Sequence, residues 1–250
     1  MSSPITIGGT ISSFVDFSKK FTFFISNIHD EIQRHHYHGV LYEKEELQII
    51  RQYSLGCTVF FDIGSNVGNH AIFFAKVLGA NKIYTFEANP VASDILKINI
   101  SLNNLSDKIN TSYLGIGVGD RFGLFNINIS HPNNIGGATL IEKQIPLENS
   151  LGQERATADD IVVLPIDSLN IPDNPDFVKI DVEGMEIAVL KGMQNIIDNF
   201  HPRIFIEVDN NNITAFSEWL EKNSYTIISR IRRYPVNENF LIVHSSHIKQ

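Results

Sequence analysis

The sequence predicts an α/β fold: a doubly wound, mostly parallel sheet with an antiparallel edge strand, an N-terminal helical extension and a β insertion. Three observations carry this. The stretch VFFDIGSNVGNHAIFFAK, Val59 to Lys76, reads as a buried strand, a glycine turn and a helix in immediate succession. Strand and helix signals then alternate over 59–80, 82–104 and 177–208. The chain has 250 residues, 43% of them hydrophobic, enough for one well-buried domain plus an appendage but not for two independent domains. The expected division is a helical extension over 1–55 and a ligand-binding domain over 56–250, with the insertion at about 121–165.

The elements follow in order. Phe14, Phe17, Phe21, Phe24, Ile25 and Ile28 recur at helical spacing and predict an amphipathic helix, packed on the flank of the sheet or forming a homodimer contact. His35, His36 and His38 converge too little for a metal site and read as solvated or pocket-rim residues. Val59 to Ile63 form the central strand, and Gly79 stops the helix after it. KIYTFE is the next strand, followed by Asn89 as cap and Pro90 at the first helical position. This helix is expected to turn Val91, Ile95, Ile98 and Leu102 inward. After a strand around 112–118, short alternating segments at 123–129, 138–141 and 161–166 predict an antiparallel insertion. The polar stretch from Ile145 to Asp160 reads as a mobile loop, and the insertion as a substrate lid. Phe177 to Ile180 is a buried strand, Met185 to Asn199 a helix, and RIFIEVD, YTIISRI and NFLIVHS complete the sheet.

In open α/β sheets the ligand sits at the carboxyl ends of the strands. The turn after Asp62 carries Gly64 and Gly68 with Asn66 between them, so it lacks the Gly-x-Gly-x-x-Gly of a dinucleotide site, and no Gly-Lys-Ser/Thr follows. Asp62 would repel phosphate and pair with a cationic group. Glu87 ends the second strand about 20 residues beyond Gly68, where a carboxylate bridges a ribose diol. S-adenosylmethionine, with an ammonium, a sulfonium and no phosphate, suits this pattern.

The segments DIGSNVGNH (62–70), FEANP (86–90), LKINISLNN (96–104), PIDSL (165–169) and FVKIDVEGMEIAVLKG (177–192) resemble, in order, the FkbM family of S-adenosylmethionine-dependent methyltransferases. The resemblance implies a class I methyltransferase (Rossmann-like) fold and O-methylation, typically of a sugar or polyketide hydroxyl. Where the family usually has Glu-Pro this chain has Glu87-Ala88, keeping the acid. Expected cofactor contacts are Asp62, Gly64, Ser65, Asn66, Gly68, Glu87, Ala88, Gly117, Val118, Asp120 and Asp181.

A hydroxyl attacking a sulfonium methyl needs its proton removed or its oxygen polarised. Glu183, expected to open the helix after KIDV, is the first candidate, with Asp181 as a cofactor or substrate contact. His70 and His131 are alternative bases near neutral pH. Asp181, Glu207 and Asp209 form a weaker alternative, a magnesium site. The glycines at 136 and 137 would let a ligand approach the backbone closely.

A formal charge of −8 argues against a nucleic-acid partner. The lone Cys57 excludes an internal disulfide, no leader pattern is seen, and no apolar run approaches the roughly 20 residues needed to span a bilayer. A cytoplasmic enzyme acting on a sugar of a glycan, lipopolysaccharide or glycolipid is the expectation, with a small natural-product hydroxyl second. An NAD-dependent oxidoreductase and a non-catalytic binding module are the readings from other classes.

Overall fold

The computed structural model describes residues 8–129, 136–143 and 160–248. The expected lid loop lies, except for Asp160, outside them, as does His131.

The core is a seven-stranded sheet in the order β12-β13-β11-β10-β3-β4-β5. Its strands are β3 (Val59–Ile63), β4 (Lys82–Glu87), β5 (Ile109–Leu114), β10 (Phe177–Ile180), β11 (Arg203–Asp209), β12 (Tyr225–Ile231) and β13 (Asn237–His244). β3 is central and pairs in parallel with both β4 and β10. β13 inserts between β11 and β12, antiparallel to both, so the antiparallel strand lies one place in from the edge. The helices on the two faces are α3 (Asn69–Phe73), continued by a wider π turn over Phe74–Leu78, α4 (Pro90–Leu102), α5 (Glu186–Gly192), α6 (Gln194–Phe200) and α7 (Ile213–Lys222). Two apolar clusters fill the faces, one around Phe60, Phe73 and Phe74, the other around Phe61, Phe86 and Trp219. Burial on both faces explains why these short strands read as continuous apolar runs.

The N-terminal segment departs from expectation. Instead of an amphipathic helix it forms a hairpin, β1 (Thr10–Asp16) and β2 (Lys19–Ile25), then two short helices, α1 (Glu31–Tyr37) and α2 (Lys44–Tyr53). Phe21, Phe23 and Ile25 alternate into the core while Phe24 is half-buried, which is strand rather than helix periodicity. The expected amphipathic helix is therefore absent: Phe21, Phe23 and Ile25 are spent inside the chain, while Ile28 is 48% exposed. The free edge of β2 is satisfied by α4, where Asn99 Oδ1 accepts from the Phe24 amide at 2.7 Å and Asn103 Oδ1 from the Thr22 amide at 3.1 Å. Asn99 also donates to the Val67 carbonyl at 2.8 Å, tying the hairpin to the glycine turn. α4 accordingly buries Ala92, Ile95, Leu96, Asn99 and Ile100, and leaves Val91 exposed.

Two more corrections concern local elements. The single helix expected from Met185 is two, broken at Met193, and it begins three residues after Glu183. His36 is neither solvated nor at a rim: it is buried, stacked on Phe23 at 3.7 Å, and burial lowers its ring to about 4 despite the Nε2 to Asn69 Oδ1 hydrogen bond of 2.9 Å.

The insertion is a second sheet with the order β6-β9-β7-β8, built from β6 (Ile116–Val118), β7 (Gly123–Ile129), β8 (Ala138–Glu142) and β9 (Asp160–Leu164). β7 pairs antiparallel with β8 and β9, as expected, while β6 and β9 are parallel. It stands over the carboxyl ends of the main sheet, where β8 and Gly136 help line the pocket described next. Among the described residues no helix is long and apolar enough to cross a membrane.

Candidate active site

At the carboxyl ends of β3, β4 and β10 the chain forms a partly open pocket. Glu87, Ala88 and Asn89 form one wall, Gly117, Val118 and Ile127 another, and Asp181, Glu183 and Met185 a third. Beside it opens a more polar cleft, bounded by Tyr42, Glu43, Asn66, Glu207, Tyr234 and Asn237. Gly136, Asp181 and Glu183 belong to both cavities.

The turn after β3 is closed upon itself. The amides of Gly64 and Ser65 both donate to the Phe86 carbonyl, at 2.9 and 3.0 Å, and that of Gly68 donates to the Ser65 carbonyl. The Asn66 amide donates to Glu87 Oε2 at 2.8 Å. These four donors are spent within the protein and are not free to cradle a pyrophosphate. Gly64 has φ +76°, and a Cβ there would lie 1.8 Å from the Asp181 carbonyl oxygen, so the turn passes against the end of β10 only because it has no side chain.

Asp62 does not reach the pocket. It is fully buried, and the cation it meets is Lys179 of β10, with Nζ 3.7 Å from Oδ1. Lys179 Nζ also lies 3.0 Å from Asp181 Oδ2 and donates to the Gly64 carbonyl at 2.7 Å. Burial alone would lower the lysine, but Asp181 and Asp62 outweigh it and hold the ammonium above its ordinary value. Burial raises the Asp62 carboxyl, opposed by Lys179. Ser65 is also structural, its hydroxyl donating to the Asp62 carbonyl at 2.6 Å. Gly68 precedes α3 with φ +93°, where a Cβ would meet Leu96 at 2.4 Å.

Of the expected cofactor residues, Gly64, Glu87, Ala88, Gly117, Val118 and Asp181 line the pocket, and Asn66 lines the cleft. Asp62, Ser65 and Gly68 support it from behind. Asp120 lies on a surface turn, accepting from Arg121 at 3.1 Å, and is not among the lining residues. Glu87 is anchored by the Asn66 and Asn89 amides, each 2.8 Å from one carboxylate oxygen, and burial raises its carboxyl against those two bonds. Each oxygen keeps a second acceptor site.

Glu183 stands in the turn between β10 and α5, at the junction of the two cavities and open to solvent. It is not at a helix start, so the helix dipole does not set its basicity. Desolvation at the cleft, and then the charges of Asp181, Glu186 and Asp209, raise its carboxyl to about 7. His70, an expected alternative base, is instead buried and lines neither cavity. Its Nε2 is 3.6 Å from Glu43 Oε2, and burial, then Lys179, keep the ring neutral.

The magnesium alternative is not supported. Among the described residues no group of three or more His, Cys, Asp or Glu converges to hold a metal. Glu207 accepts from Asn237 Nδ2 at 2.7 Å, and Asp209 accepts from the Asn211 amide at 2.8 Å in the turn after β11.

Lys179, Tyr42 and Glu43 are the site residues sequence reasoning missed. Lys179 had a signal, a lone cation inside the four-residue buried strand FVKI and two positions before Asp181. Glu43 is hidden in the acidic run EKEE and placed by tertiary contact: Asn69 grips the Tyr42 backbone on both sides, accepting from its amide at 3.0 Å and donating to its carbonyl at 3.1 Å. The Tyr42 hydroxyl meets that of Tyr234 at 3.0 Å, across the lip of the cleft.

Residues 62–232 match the family described as Methyltransferase FkbM domain. Over 205 residues the chain is 28% identical to the hexuronic acid methyltransferase AglP of Haloferax volcanii, covering 80% of this chain and 76% of that one. Over 158 residues it is 27% identical to the methyltransferase sdnD of Sordaria araneosa, covering 53% of this chain and 59% of that one. In fold it is similar to the crystal structure of methyltransferase FkbM from Methylobacillus flagellatus KT, with a TM-score of 0.51 and 19% identity, covering 74% of this chain and 43% of that longer chain. With the family match extending from Asp62 of the central strand to Arg232 beside the cleft, the chain belongs to the FkbM methyltransferase family.

Proposed function

We propose that the chain transfers a methyl group from S-adenosylmethionine to a hydroxyl of a polyhydroxylated acceptor, foremost a sugar of a glycan, lipopolysaccharide or glycolipid. The observation that carries this is the meeting of a partly apolar pocket and a polar cleft at Asp181 and Glu183.

The pocket suits the adenosyl donor. Glu87 offers two anchored carboxylate oxygens to a ribose diol, while Val118, Ile127 and Met185 offer apolar surface to the purine. The spent amides of the glycine turn are not free to cradle a pyrophosphate, which counts against the nicotinamide reading. Lys179 fixes Asp181 at the pocket mouth, and a carboxylate there favours a cationic ligand. When bound, S-adenosylmethionine supplies an electrophilic methyl on a positively charged sulfur.

The remaining work falls to the chain. Glu183, raised toward neutrality at the junction, accepts the proton of the acceptor hydroxyl, since a base is most effective when its pKa lies near the working pH. Holding the two reactants in line contributes the larger part, about 7–11 kcal/mol. The hexuronic acid named for the archaeal relative supports a sugar as acceptor class. A small natural-product hydroxyl is the second reading, supported by the polarity of the cleft alone.

Calorimetric titration with S-adenosylmethionine, S-adenosylhomocysteine and NAD is the direct test. Micromolar binding of the first two and none of NAD is expected, followed by transfer of labelled methyl to a sugar panel. Binding of NAD alone would overturn the reading, and adenosyl binding without transfer to any hydroxyl acceptor would reduce the chain to a binding module.

A further inference from the structure

Two carboxylates of the cleft have no part in the chemistry above. Glu43 lines the cleft but not the donor pocket, is only 8% exposed, and its carboxyl group makes no hydrogen bond among the described residues; the neutral ring of His70 lies 3.6 Å from it. Its backbone is left-handed, φ 55°, at the residue before α2, where no side-chain cap is made. A buried acid held in that conformation without a partner is costly to keep. Glu207 faces the same cleft from β11, its carboxylate presented by the amide donors of Asn237 at 2.7 Å and Asn239 at 3.4 Å.

Among the described residues, the cations near the cleft are engaged elsewhere. Lys179 is shared by Asp62, Asp181 and the Gly64 carbonyl, and Arg233 is held bidentate by Glu46 at 3.0 and 2.6 Å. Glu31, at the outer rim, is paired with Arg34. Glu43 and Glu207 thus face the cleft together with Asp181 and Glu183, four carboxyl groups of which, among the described residues, only Asp181 lies within ion-pair distance of a lysine or arginine.

We propose that Glu43 and Glu207 form an ammonium subsite, so that the acceptor carries a protonated amine near the hydroxyl to be methylated, as an amino sugar does. This rests on the acceptor reading of the cleft and narrows it. The subsite disfavours an acid such as the hexuronic acid named for the archaeal relative, because a carboxylate there would meet like charge in a partly desolvated cleft. Desolvation, then the surrounding carboxylates, raise both Glu43 and Glu207 above the ordinary carboxylate range, and a bound ammonium would relieve both.

The test uses the full chain saturated with S-adenosylhomocysteine and three matched probes: the methyl glycosides of glucosamine, glucose and glucuronic acid. Glucosaminide is expected to bind about tenfold tighter than glucoside, and glucuronide weakest. Glu43→Gln should erase the advantage of the amine while leaving S-adenosylhomocysteine affinity unchanged, and Glu207→Gln gives the same readout should Glu43→Gln fail to fold. Glucosaminide binding no tighter than glucoside, or not at all, would overturn the subsite. Glucosaminide preference in a chain that takes up no adenosyl ligand would uphold the subsite and overturn the transferase reading instead.

Discussion

β3 and β10 lie side by side, and an aspartate stands at or just beyond the carboxyl end of each, yet the two carboxylates meet different surroundings. Asp62 is sealed behind a turn whose amides bond to its own neighbours, with Lys179 as its cation. Asp181 shares the same lysine but opens to both cavities, and the turn beyond it sets Glu183 at their junction. A single ammonium thus braces the closed turn and aims the open one. A carboxylate at a strand end is a site residue only if the following turn leaves it uncovered.

Removing the shared cation should have the largest effect. Lys179→Met leaves Asp62 buried without its counter-charge, and urea unfolding should show a loss of about 3–5 kcal/mol. A loss no greater than a surface substitution would mean that the two turns are braced independently. The open turn should respond in rate rather than stability. Glu183→Gln is expected to lower turnover about a hundredfold with S-adenosylhomocysteine affinity retained. Since the base works deprotonated, wild-type turnover should climb as pH rises through about 7 and the variant's should not. An unchanged pH profile in the variant would move the base elsewhere. A smaller change is expected at Glu87, where truncation to Ala should weaken S-adenosylhomocysteine about tenfold without a comparable fall in turnover at saturation; normal affinity would remove Glu87 from the donor site.

The sheet and its order of elements were legible because strands buried on both faces read as apolar runs, and because Asn89-Pro90 and Gly79 mark helix ends chemically. The N-terminal hairpin was not. Phe14, Phe17, Phe21 and Phe24 coincide with helical spacing, and the two-residue turn that reverses the chain is Phe17-Ser18, with φ of 46° and 59°. Asn-Gly would ordinarily announce such a turn; here burial of Phe21 and Phe23, and the asparagines of α4, impose it from outside. The donor side of the site was readable for the same local reasons, as Glu87 and the residues around Gly117 lie in their own strand ends. The acceptor side was not, since Glu43 takes its place from contacts with Asn69 and His70, residues distant in sequence.

The hydroxyl-to-hydroxyl contact of Tyr42 with Tyr234 has a bearing on the order in which the protein becomes competent during synthesis. Residues 63–185 suffice to line the donor pocket, whereas the cleft waits for residues up to 237. Tyr42 and Tyr234 are 192 residues apart in sequence, so the lip closes only once the chain has been made past β12. The residues of the donor side therefore all exist on the nascent chain before those of the acceptor side do, and both sides take shape with the one seven-stranded sheet to which β13 belongs.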